Sequence, residues 1–366
     1  MTLTNYWWLL IWLFLGGAIF GNMPKRRERL NGEIVERWDV WPAIMMVLPY
    51  IIWAGFRGDV SDTYSYRRTF LAISPELSQI PAFFKNDIKD PGFSALMVLL
   101  KNIIGNQDKL FFLIIAIFQI GSLALVFRKY SPNFWLSFFM FVVSTDYLSW
   151  MHNGMRQFIA VAMILAGFPY LVDKQYFKMI MLILVASLFH GSALIMIPII
   201  FVVQGKAWDI KTVLMLSITM IVVVFINQFT PILSNLLQGT QYDDVMTGEI
   251  WAVDDGTSIF RVIVYSIPAL MSLVGLRYIR VADSRVMNIC INCSIVTMAL
   301  YLVSSVTSGV YIGRLPIYTT LQGYMALPWI IDRIFEKKSA QLVRMIMYVS
   351  YLGFFYFQMH LVWGNI

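Results

Sequence analysis

The chain has 366 residues, 59% apolar and 13% charged, against roughly 45 to 50% and about 25% in soluble globular domains. That composition excludes a soluble enzyme and describes an integral membrane protein. The net charge of +7 raises nucleic acid as a partner, but membrane topology accounts for most of the basic residues, so no nucleic-acid binding is expected.

Apolar runs recur from end to end, separated by short polar joints. They predict an all-α polytopic membrane protein in which residues 1–366 form a single integral membrane domain. A hydrocarbon core about 30 Å thick needs about 20 apolar residues per helix. On that measure spans fall near 5–22, 39–55, 109–127, 133–151, 154–172, 177–189, 190–204, 212–230, 259–279, 286–307, 311–331 and 344–363, about twelve in all. The first has no basic stretch before it and one directly after, so it reads as a retained span and not a cleaved signal. The sixth and seventh are short, and His190-Gly191-Ser192 marks the break between them. With the N terminus outside, the loops at 25–37, 128–129, 174–178, 206–211, 277–285 and 333–344 face the cytoplasm. They carry 18 of the 28 Lys and Arg residues, as the positive-inside rule requires. Merging the sixth and seventh spans would put the later loops on the wrong side, so the even count is favoured, with both termini outside.

Two longer segments then lie on the outer face. The loop 56–108 contains an amphipathic piece, DPGFSALMVLLKNIIG, too short to span and suited to lie in the interface as a short helix. The loop 231–258 is acidic, with QYDD and VDDG. Loops of this length in a compact membrane protein are usually functional. Cys290 and Cys293 have C-x-x-C spacing within an apolar run, which places two small side chains on one helix face and reads as packing. Three histidines, His152, His190 and His360, without a Cys/His cluster give no expectation of a metal site. No cofactor is expected.

Four arginines sit at the outer ends of predicted spans, against the positive-inside tendency: Arg57, Arg156, Arg261 and Arg314. An arginine within a span costs about 2.5 to 3.5 kcal/mol at the helix centre and less near its end. One alone reads as a residue that snorkels to lipid phosphate or pairs with a loop acid such as Asp243 or Asp254. Four on one side point to a shared anionic ligand, and because guanidinium grips phosphate oxygens bidentately, to a phosphate or diphosphate. Their neighbours agree. Asn153, Arg156 and Gln157 fall at i, i+3 and i+4 of one helix, Ser258, Arg261 and Tyr265 repeat the pattern, and Tyr311, Arg314 and Tyr318 do so again. The candidate bases are His190 and Asp62. An imidazole takes a proton near neutral pH, whereas Asp62, in FRGDVSDTYSYRRTF, is as readily a carboxylate that orients Arg57. His152 could serve as either base or packing residue. Trp150, Trp251, Tyr64, Tyr66 and Tyr311 are aromatics that could stack on sugar rings or anchor in the interface.

Together FRGDVSDTYSYRRTF, DPGFSAL, NGMRQFIAVA, SLFHGSALI and GRLPIYTT resemble, in order and spacing, the EpsG branch of the Wzy-like bacterial polysaccharide polymerases over most of the chain. The resemblance implies a metal-independent glycosyltransferase of the bacterial cytoplasmic membrane. It implies as substrates undecaprenyl-diphosphate-linked oligosaccharide units, donor and acceptor, joined at the outer face into a capsular, exo- or O-antigen polysaccharide. Membrane lipid, a chain-length regulator and a flippase are then the candidate partners. On this reading Arg156 and Arg314 hold diphosphates, Arg57 and Arg261 complete the pocket, and Asn153, Gln157, Tyr265, Tyr311 and Tyr318 support it. A glycan ligase would need the same cations. A membrane O-acyltransferase would use the histidine but gives no reason for the arginines, and a flippase or transporter predicts charges along a path through the bilayer centre.

Overall fold

The structure is a computed structural model, and it describes residues 6–30, 33–86, 88–226, 228 and 256–362. In chain order it builds α1 (Tyr6–Gly21), a hairpin of β1 (Arg26–Leu30) and β2 (Glu33–Arg37), α2 (Val40–Gly55), α3 (Thr63–Ala72), α4 (Ile80–Lys85), α5 (Pro91–Ile104), α6 (Asp108–Tyr130), α7 (Phe134–Val143) and α8 (Asp146–Leu148). There follow α9 (Met155–Ala166), α10 (Phe168–Val172), α11 (Tyr176–Ser187), α12 (Met196–Val202), α13 (Ile210–Val224), α14 (Ile259–Val274), α15 (Leu276–Ala282), α16 (Arg285–Ser305), α17 (Ile317–Ile334) and α18 (Lys337–Phe357). The first basic loop is thus an antiparallel hairpin, paired from Arg26↔Arg37 to Leu30↔Glu33, a local exception to the all-α expectation.

Every predicted span has helix under it, but few are continuous. α6 and α16 are long and apolar enough to cross a bilayer alone, and α14 with α15 forms one candidate span bent by 74°. α6 has 23 residues, about 34 Å, with Asp108 in its first turn and Arg128 and Lys129 in its last, each complementing the helix dipole. Elsewhere the chain breaks where its sequence permits. The stretch read as one span over 133–151 ends as α7 at Val143, and 154–172 divides at Gly167-Phe168-Pro169. The break expected at His190 is present: α11 ends at Ser187 and a 3₁₀ turn, Gly191–Ile195, follows. The latter part of the eighth predicted span and most of the loop 231–258, with Asp243, Trp251 and Asp254, lie outside the described residues.

The chain divides into two compact units, Met1–Leu194 with Lys337–Ile366, and Ile195–Glu336. In the first, α2 packs along α6, and α6 along α9. Its aromatic core joins α1, α2, the 144–153 break and α18: Tyr6 stacks on Phe355 with centroids 5.4 Å apart, and Tyr147 meets Tyr50 edge-on. The buried phenols are satisfied, Tyr6 donating to Val142 O, Tyr50 to Leu9 O and Tyr147 to Tyr50 O. A second cluster, around Phe70, Phe93, Phe111 and Met155, fastens the 56–108 segment to α6 and α9.

Lys101 has its amine buried, donating to Phe70 O at 3.0 Å and Leu71 O at 2.7 Å, the last carbonyls of α3. Lys101→Met is expected to strand those carbonyls and lower stability by about 1 to 3 kcal/mol, read as an earlier thermal unfolding of the detergent-solubilised protein.

In the second unit α16 is the centre, buried against α14, α17 and α13. Asn288 and Asn292, one turn apart, tie down the 203–208 connection: Asn292 donates to Val203 O, and Ala207 and Trp208 donate to the two amide oxygens. Cys290 and Cys293 are buried, unoxidised thiols of the same helix.

Candidate functional site

Helical spacing puts Asn153, Arg156 and Gln157 of WMHNGMRQF on one polar face of a helix, and the structure corrects this. Residues Ser149–Asn153 form a π-helical turn, and α9 begins only at Met155, after Gly154. Asn153 therefore precedes the helix, Gln157 is buried, and Arg156 stands in the first turn of α9 with its side chain 32% exposed. A cation there opposes the positive end of the helix dipole and needs an anion.

Asp90 supplies it. Arg156 Nη1 donates to Asp90 Oδ2 at 2.6 Å, and the carboxylate is 4% exposed. Asp90 precedes α5 in a left-handed conformation that aspartate tolerates, with Pro91 opening the helix. Gly92 then passes against the chain just before His190, donating its N–H to Leu188 O at 2.8 Å. A β-carbon at Gly92 would stand 2.9 Å from Leu188 O and Cβ, so only glycine permits this approach. The backbone N–H of Gly191 completes the bond set by donating to Asp90. Next to it His190 Nδ1 lies 2.7 Å from Ser192 Oγ, which fixes the ring's orientation. Three separate sequence motifs, DPGFSAL, NGMRQFIAVA and SLFHGSALI, thus meet in one cluster of the first unit. Gly92→Ala is expected to lose the Leu188 bond and separate α5 from His190, costing about 1 to 3 kcal/mol and most of the activity, measured by unfolding and by product formation.

Burial raises the Asp90 carboxyl above its usual range, with Arg156, Lys89 and the Gly191 N–H pulling it back. A folded carboxyl that binds its proton more tightly than the unfolded chain does contributes less stability as pH rises from about 4 through its raised value. Asp90→Asn is expected to remove that slope, seen in unfolding temperature against pH.

Arg57 occupies another kind of place. Its guanidinium is buried, with Nη1 on Met151 O, Nη2 3.0 Å from Met155 Sδ, and its carbon 4.1 Å from the centre of the Phe112 ring. Burial pulls it down to about 9, still charged at neutral pH. It clamps the turn that carries α9. The pairing of Asp62 with Arg57 is not made. Asp59 and Asp108 both pair with Arg67, which joins the start of α6 to the 56–70 segment. Asp62 is exposed at the head of α3, its side chain making no cap bond. His152 is fully buried between Trp53 and Tyr147, with ring centroids 4.9 and 5.9 Å away. Of the aromatics, Trp150 is buried and bonds Asp146, whereas Tyr64 is exposed.

An apolar cavity of about 570 Å³ lies between α5, α6, α9 and α11, and its lining on α9 begins at Ile159, one turn beyond Arg156. Ile159 and Met163 follow Arg156 by one and two turns on one face of α9, and Phe189 adjoins His190.

Arg261 and Arg314 belong to the second unit. Arg261 is in the first turn of α14, its guanidinium 5.9 Å from the Tyr265 ring, which stacks on Tyr301. Arg314 ends a 3₁₀ turn, Ile312–Arg314, before Pro316, so Tyr311, Arg314 and Tyr318 do not share one helix; Tyr318 is buried in α17. Thr257 and Ser304 hydroxyls bond at 2.5 Å, and a β-carbon at Gly313 would overlap both. The segments carrying the two arginines therefore come together at one end of this unit. Among the described residues no group of three His, Cys, Asp or Glu side chains converges as metal ligands would.

Such a fold and cluster define a polytopic helical membrane protein with a paired arginine, a histidine and an apolar cavity in one unit. The chain matches the EpsG family over residues 40–364 and belongs to it. Membership points to a polysaccharide-polymerase-like function of glycosyltransferase type. Neither a curated protein nor a solved structure matches the chain.

Proposed function

We propose that the protein polymerises undecaprenyl-diphosphate-linked oligosaccharide units at the outer face of a bacterial cytoplasmic membrane, in a topology of twelve crossings with both termini outside. The observation that carries this reading is the pairing of Arg156 with Asp90 beside the His190-Gly191 segment, one helical turn from the lining of an apolar cavity. In the reaction the bond between the donor's anomeric carbon and its diphosphate oxygen breaks, and the acceptor hydroxyl oxygen bonds that carbon. The hydroxyl proton passes to His190. Charge grows on the departing diphosphate, and a fixed guanidinium in a poorly solvated site stabilises that charge more in the transition state than before it. Arg156 suits the task because one nitrogen stays on Asp90, which orients the fork, while part of the side chain remains exposed. Arg261 and Arg314 are proposed as further diphosphate ligands. Arg57, by its burial, is assigned to holding the α9 turn in place.

The test is synthesis in nanodiscs from a synthetic lipid-diphosphate repeat unit, with products sized on gels. A ladder of increasing length is expected. A single transfer without a ladder would mean a ligase, and no product from folded protein given its native unit would turn the reading to transport.

A further inference from the structure

We propose that the apolar cavity between α5, α6, α9 and α11 seats the hydrocarbon tail of a prenyl diphosphate whose head meets Arg156. This inference deepens the proposed function and rests on it for the identity of the lipid. Its shape argument is independent. A ligand that reaches from Arg156 into this cavity, whose α9 lining begins one turn further on, must be an amphiphile: anionic where Arg156 stands, and apolar along the α9 face through Ile159, Met163 and Ala166. From Arg156 to Ala166 the helix rises about 15 Å, so the contact runs along the tail and does not end beneath the head. Leu96 and Leu100 of α5 form the opposite wall, and the same α5 carries Asp90 at its start. Head and tail sites are thereby fixed to one pair of helices.

Two details fit a tail better than packing left incomplete. The cavity falls in the 300 to 1,000 Å³ range of ligand sites, well beyond the voids a close-packed interior leaves. Gly167, without a side chain, lets Leu182 of α11 close on it: a β-carbon there would lie 2.3 Å from Leu182 Cδ2. That contact brings α9 and α11 together where both line the cavity.

The experiment uses the full chain in phospholipid nanodiscs with a long-chain prenyl diphosphate bearing a diazirine near the end of its tail. Photolysis and peptide mapping are expected to place the label on α5, α9 and α11, with unlabelled prenyl diphosphate competing and added phospholipid failing to compete. Filling the cavity with Met163→Trp and Leu100→Trp should cut labelling about tenfold or more, equivalent to about 1.4 kcal/mol of binding. A short-chain diphosphate should bind the filled variant as it binds wild type, which shows the head site and fold intact. If the filled variant loses the short-chain ligand as well, single Met163→Phe and Leu100→Phe variants carry the comparison, each expected to weaken labelling selectively. Labelling elsewhere, labelling indifferent to filling, equal competition by phospholipid, or cross-links to a second copy would overturn the assignment. Specific labelling of the cavity in protein that makes no polymer would leave the tail site standing and sink the polymerase reading instead.

Discussion

Arg156→Ala is expected to lower polymer formation by about a hundred- to a thousandfold, the cost of removing one donor that stabilises charge in a transition state. Arg156→Lys should keep part of the rate, because it retains the charge and loses the bidentate fork. The loss has a rival explanation, since the substitution also leaves the Asp90 carboxylate, 4% exposed, without its partner. Breaking a buried pair from one side costs about 3 to 5 kcal/mol, and the partial exposure of Arg156 puts this one at or below the low end. Asp90→Asn in the same chain separates the two. The double variant is expected to regain stability and stay inactive, because nothing has replaced the cation at the diphosphate. Recovery of the ladder in the double variant would reduce Arg156 to a counter-ion for Asp90. Thermal unfolding and product length, measured side by side on the four chains of the cycle, decide between them.

The second large effect concerns the base. His190→Gln should slow transfer by about a hundred- to ten-thousandfold, the usual worth of a positioned base, whereas Asp62→Asn should change little because Asp62 stands exposed at the head of α3. Ser192→Ala is a milder change, releasing the ring from its 2.7 Å contact, and is expected to reduce turnover without moving KM. The opposite ranking, with Asp62→Asn the damaging variant and His190→Gln nearly neutral, would transfer the role to the carboxylate.

Much of this molecule was written locally. Apolar runs of bilayer length and basic joints identify a polytopic membrane protein from composition alone, because hydrocarbon admits backbone only as helix or closed barrel. The break at His190-Gly191 and the start of α5 at Asp-Pro-Gly are also local, fixed by backbone freedom and a preset φ. Arg156 was conspicuous for the same reason: a charge in an apolar run is costly wherever the chain takes it.

Partnership was not legible. Asp90 lies 66 positions from Arg156 and was visible only as part of an amphipathic segment, so nothing in its spacing named it as the acid that holds the arginine. Arg57 and Arg67 illustrate the converse. In sequence the first stands at the outer end of a span and nothing singles out the second; folding buried the first against Met151 and Phe112 and gave the second both Asp59 and Asp108. The π-helical turn at 149–153 likewise removed Asn153 from the face that helical spacing assigned to it. Sequence determined where helices form, because hydropathy and backbone propensity act within a few residues. Which charge meets which, and the cavity between α5, α6, α9 and α11, depended on long-range packing, whose partners are chosen by shape and desolvation across the fold.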